Sequence, residues 1–125
     1  MRPDPDSPVY RELRDLLAKA FGPAPLLERE LARVEGVAEA YIYGSWARRF
    51  HGEPGALPRD VDLLVVGPAD PEEVYRAAQA VEQRLGLEIN PIVVGDADWD
   101  HPLGLLERVK NQPVVELAVS DADDR

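Results

Sequence analysis

Two short runs in the middle of the chain carry residue types that can do chemistry. Gly44-Ser45 ends an alternating apolar segment, and Asp60-Val61-Asp62 opens the apolar run Leu63-Leu64-Val65-Val66. Glycine permits a turn that a side chain would obstruct, and serine adds a hydroxyl. A helix that begins there offers free N–H groups and a positive dipole end to an anion. Ser45 is expected to cap that short helix, Trp46 to about Phe50. Asp60 and Asp62 are two apart on a predicted strand, so both side chains leave one face. Their alpha carbons then lie roughly 6.5 Å apart, close enough for two carboxylates to share one or two divalent ions. A phosphate-binding turn beside a metal-binding carboxylate pair is the equipment of phosphoryl or nucleotidyl transfer.

Each run also has a plain structural reading. Gly-Ser pairs begin many helices, and acidic residues often open strands because strand ends are solvated. The conjunction says more. Two carboxylates on one face at the entry to a buried strand are costly unless a cation or hydrogen bonds compensate them.

The elements that must position these residues follow from local signals. Met1 to Asp6 is polar and proline-bearing, like a linker end. Ser7 caps and Pro8 starts a helix whose apolar stripe is Val9, Leu13, Leu16, Leu17 and Ala20. Gly22-Pro23 is expected to stop it, and a second helix, about Ala24 to Val34, carries Leu27, Leu31 and Val34. Val37 to Tyr43 reads as the first strand, residues 51–58 as a loop, and Asp60 to Val66 as a strand apolar on both faces. Asp70-Pro71-Glu72-Glu73 is a strong helix start, with Asp70 as cap, and Gly86 ends that helix after Leu85. Leu87 to Val94 is a third strand whose Pro91 belongs at an edge or a bulge. A loop over Asp96 to His101, a helix over Pro102 to Lys110 and a strand over Pro113 to Val119 complete the order. The fold class expected is α/β, a mixed sheet of about four strands packed with helices. The domain spans residues 7–119, and residues 120–125 form an acidic tail.

Composition narrows the function. A chain of 125 residues suits one domain with one core. No apolar run approaches the roughly 20 residues that cross a bilayer, so no membrane role is expected, and a cytoplasmic home follows as the default. There is no cysteine, which removes disulfides and thiolate chemistry. A net charge of −10 opposes general nucleic-acid binding, although Arg48, Arg49, His51 and Arg59 cluster between the two runs. His51 and His101 read as solvent-exposed loop residues. Trp46 packs the cap helix or stacks on a base, and Trp99, Leu103, Leu105 and Leu106 form core or a partner-facing patch.

Gly44-Ser45-Trp46-Ala47-Arg48-Arg49 followed by Arg59-Asp60-Val61-Asp62-Leu63-Leu64-Val65 resembles the signature of the DNA polymerase beta-like nucleotidyltransferase superfamily. The likeness is to its small prokaryotic, minimal members, and it runs from about Val37 to Leu117. Asp4 to Tyr10 looks like the joint that follows a DNA-binding winged helix in similar proteins. The resemblance implies that Gly44 and Ser45 hold the triphosphate of a nucleotide while Asp60 and Asp62 bind magnesium, as two ions or one. Arg48, one turn into the cap helix, either reaches a phosphate or pairs with Asp60 or Asp62. It further implies transfer of a nucleoside monophosphate, most simply AMP from ATP, to a hydroxyl acceptor, and possible pairing with a toxin of the HEPN type. Three departures stand out: a longer loop over Gly52 to Pro58, Arg59 before the first aspartate, and Asn90 where active members place a carboxylate. Asn90 coordinates through oxygen but is no base, and Glu88 shares its face as a substitute ligand. The alternative is therefore a nucleotide-binding regulatory module without turnover.

Overall fold

The continuous apolar run Leu63-Leu64-Val65-Val66 requires a sheet that buries side chains on both faces, and the chain builds one. The computed structural model describes residues 22–101 and 104–119. In order they form α1 (Pro23–Leu31), β1 (Glu39–Tyr43), α2 (Gly44–Phe50), β2 (Asp60–Val66), α3 (Pro71–Leu85), β3 (Glu88–Val94), α4 (Asp96–Asp100), α5 (Leu105–Lys110) and β4 (Val115–Leu117). The sheet order is β3-β2-β1-β4, with β2 and β3 parallel and β1 antiparallel to both β2 and β4. A mixed α/β architecture with a four-stranded mixed sheet is thus what the sequence specifies.

Parallel pairing of β2 and β3 requires a crossover, and α3 supplies it. Asp70 caps this helix, its Oδ1 accepting from the Glu72 N–H at 3.0 Å, and Pro71 takes the first position. Val74, Ala77, Ala78 and Val81 face the sheet, and Gly86, left-handed at φ 69°, ends the helix as read. The Glu82 carboxylate then accepts from the Ile89 N–H at 2.7 Å, tying the crossover to β3.

The two sheet faces bury different sets. Ala40, Ile42, Val61, Leu63, Val65 and Ile89 pack with Leu27 and Leu31 of α1, Trp46 and Ala47 of α2, and the apolar side of α3. The opposite face carries Tyr43, Leu64 and Val66 against Trp99 of α4 and Val109 of α5. Lys110 Nζ sits 4.5 Å from the Trp99 ring centroid, closing that second layer. Pro91 lies on an edge strand, where its missing N–H costs no interior ladder bond. At the other edge, the Ala118 N–H donates to the Glu28 carboxylate at 2.8 Å.

Several expectations need correction. The second helix, α1, opens at Pro23 and not Ala24, because proline fits the first helical turn, and it ends at Leu31, before Val34. The segment read as a loop from Asp96 holds the one-turn helix α4, whose acidic first turn suits the helix dipole and whose Trp99 is buried. The following helix begins at Leu105 and not Pro102, and β1 and β4 are shorter than read. The helix over residues 8–20, the linker-like residues 1–6, Leu103 and the tail lie outside the described residues, as does the Leu105 side chain. No helix among the described residues is long and apolar enough to cross a membrane.

Candidate functional site

Strand direction decides what meets at the open end of the sheet. β1 arrives there with Tyr43, turns at Gly44 and enters α2, while β2 and β3 both start there. Cross-strand register places Tyr43 opposite Asp62, Asp62 opposite Asn90, and Asp60 opposite Glu88. Side chains of period two then put Asp60, Asp62, Glu88 and Asn90 on the face that also carries Leu64, Ile92 and Trp99. The layer of α4 and α5 covers the apolar half of that face. The acidic half stays open: Asp60, Glu88 and Asn90 are exposed, and Asp62 is partly buried.

Gly44 has φ +78°, and a Cβ built on it would meet Asp62 Oδ2 at 2.6 Å. The turn therefore lies directly over the second aspartate's carboxylate, and only glycine leaves room for it. Ser45 is half-buried as the second residue of α2. Its expected capping role is not seen: Tyr43 holds the N-cap position, and no side-chain hydrogen bond caps the helix. Positive φ at Gly44 makes the chain turn one residue earlier, so Ser45 is already inside the helix and its hydroxyl is not used as a cap. Among the described residues nothing else hydrogen-bonds that hydroxyl.

The electrostatics are those of under-compensated acids. Burial pushes the Asp62 carboxyl above its ordinary 3.8, and the Asp60 charge adds to the rise. The Asn90 side-chain amide opposes it by donating a hydrogen bond that favours the carboxylate. Asn90→Ala is accordingly expected to move the Asp62 titration still higher, read by NMR on its side-chain carboxyl carbon. An unchanged midpoint would show that the amide does not act on this carboxylate. Burial, then the Asp62 charge, also pushes the Tyr43 phenol up, so the tyrosine stays neutral beside it.

Among the described residues no arginine pairs with Asp60 or Asp62. Among the described ion pairs, Arg48 and Arg49 both go to Glu53, and Arg59 is exposed. Of the two roles open to Arg48, pairing with Asp60 or Asp62 is not the one found. Trp46 is 2% exposed and stacks on Phe50 with ring centroids 5.2 Å apart, so it is core. His51 is exposed but not idle: its Nε2 lies 2.8 Å from the Val114 carbonyl oxygen, joining the end of α2 to the approach of β4. His101 is exposed.

The chain matches no protein-family model, no curated protein and no solved structure. Its own geometry carries the functional reading.

Two site neighbours were missed by sequence reasoning. Tyr43 shares the register position of Asp62, which the two-residue alternation with Tyr41 and its place beside Gly44 could have signalled. Glu53 was read only as part of a loop, although an acid four residues after Arg49 is a recurrent pairing distance.

Among the described residues no group of three or more Asp, Glu or His is placed to hold a metal ion. Asp60 and Asp62 share their face with Glu88, but the three are not grouped closely enough to form such a set. Asp60 and Asp62 alone are too few donors for a protein-only cage, but magnesium is commonly bound by one or two carboxylates with substrate phosphates and waters completing the shell. Hard oxygen donors, raised Asp62 and the absence of a described arginine partner fit a divalent cation that arrives with a polyphosphate.

Proposed function

We propose that this protein is a nucleotidyltransferase that moves a nucleoside monophosphate, AMP from ATP in the simplest case, onto a hydroxyl of a protein or small molecule. The observation that carries this reading is the contact between the Gly44 turn and the Asp62 carboxylate, which sets a serine-led turn and a metal-type acid at one point. Gly44 and Ser45 would hold the phosphates through backbone N–H groups and the Ser45 hydroxyl. Asp60 and Asp62 would hold magnesium, which when bound offsets phosphate charge and favours in-line displacement. The acceptor oxygen bonds to the α-phosphorus as the bond from that phosphorus to the bridging oxygen breaks, and pyrophosphate leaves. Glu88, exposed and without a described side-chain partner, is the carboxylate on this face left to take the hydroxyl proton.

Asn90 opposite Asp62 favours a second reading, a module that binds magnesium and nucleotide without turning it over. Titration of MgATP into the protein by calorimetry, followed by a pyrophosphate assay with α-labelled ATP, separates the two. Binding with label transfer and pyrophosphate supports the enzyme, and binding alone supports the module. No heat of binding at millimolar MgATP ends both.

A further inference from the structure

The loop between the two halves of the site is fastened to the arginine one helical turn after Gly44. Arg48 is four residues after Gly44 and three after Ser45, hence on the same side of α2 one turn on. Its Nε lies 3.4 Å from Glu53 Oε2, while Arg49 Nη1 lies 2.8 Å from Glu53 Oε1, so one carboxylate spans two guanidinium groups. Backbone bonds reinforce the fold-back: the Gly52 N–H donates to the Arg49 carbonyl and the Glu53 N–H to the Arg48 carbonyl, each at 3.0 Å. Gly55 closes over the Arg49 side chain, whose Nε is buried without an acceptor. The same loop then runs through Arg59 straight into Asp60.

We propose that Glu53 is an internal competitor of the nucleotide: its carboxylate holds Arg48 while the phosphate turn is empty, and a bound triphosphate takes Arg48 from it and loosens the loop. This inference rests on the nucleotide reading above and adds a regulatory contact to it. The physical asymmetry is plain. Glu53 offers one negative charge through half-exposed side chains, an arrangement that solvent screens, whereas a triphosphate offers several charges to the same guanidinium. Arg49 keeps its shorter bond to Glu53, so the loop stays attached at one point while its grip on Arg48 is released. Since the loop ends at Asp60, filling the phosphate turn is communicated to the entry of β2.

Calorimetric titration of MgATP into the wild type, Glu53→Gln, Arg48→Ala and the double variant tests this. Glu53→Gln is expected to bind about two- to fivefold more tightly at low salt, the gain shrinking as salt rises. The gain should vanish in the Arg48→Ala background, because the competition has lost its object. Hydrogen exchange gives an independent readout: MgATP should speed exchange at the Gly52 and Glu53 amides of the wild type. Equal binding by wild type and Glu53→Gln, or slower exchange at those amides on saturation, overturns the latch and leaves the nucleotide site standing. Absence of MgATP binding in both wild type and Glu53→Gln overturns the site and the latch together.

Discussion

Asp62→Ala is expected to lower magnesium-dependent transfer of label from α-labelled ATP by on the order of 10²–10³-fold or more, the scale of losing one pre-placed electrostatic group at a reacting centre. The reason lies in where Asp62 sits. It is the residue shared by three strands' worth of site, opposite Tyr43 on one side and Asn90 on the other, with the Gly44 turn above it. Asp62→Asn keeps the shape and removes the charge, and it should lose transfer nearly as completely. Its effect on stability runs the other way. The Asp62 carboxyl is raised in the folded chain, first by burial and then by Asp60, so ionisation favours the unfolded state. The stability linked to its protonated form is full below the unfolded value near 3.8 and is lost as pH rises through the higher folded value. Asp62→Asn should therefore melt higher than wild type at neutral pH, with the gap closing below that unfolded value. Added magnesium should raise the melting temperature of wild type and not of the variant. A variant that melts lower at neutral pH, or transfers label at the wild-type rate, removes Asp62 from the role assigned to it.

Gly44→Ala is expected to damage both the fold and the site. A left-handed backbone costs a residue with Cβ about 1–2 kcal/mol, which thermal denaturation would register as a lower midpoint. The larger loss is local. The added methyl would meet Asp62 Oδ2 at 2.6 Å, so the carboxylate or the turn has to move. Displacement on that scale can cost on the order of 10²-fold in a positioned reaction. MgATP affinity and label transfer should fall together. If Gly44→Ala binds MgATP as wild type does, the turn does not take part in phosphate binding.

Parts of this architecture were legible in the residues alone, and the reason differs from element to element. Asp60 to Val66 and Pro71 to Leu85 fall where the sequence puts them. An unbroken apolar run between a proline-glycine loop and Gly67 leaves one reading, and Asp70-Pro71 with Gly86 marks both ends of a helix. Spacing singles out Gly44, Ser45, Asp60 and Asp62 as candidates, and the sheet does bring the Gly44 turn to Asp62. The opposition of Asp60 to Glu88 could not be read from spacing, because register between β2 and β3 is set by how far α3 carries the chain back. Nor could α4 be seen: five residues, three of them aspartate, show no helical period until Trp99 finds its place against Tyr41. Ser45 was given the capping position because serine prefers it, yet the positive φ of Gly44 moves the boundary back to Tyr43.

The two borders of the sheet have a consequence for how this protein meets others. Along β3, Pro91 interrupts the row of N–H donors that a second strand would need, and along β4 only three residues are extended before Glu28 claims the Ala118 amide. Among the described residues neither margin offers an uninterrupted template, so these two borders are poorly suited to strand-by-strand addition of a second copy.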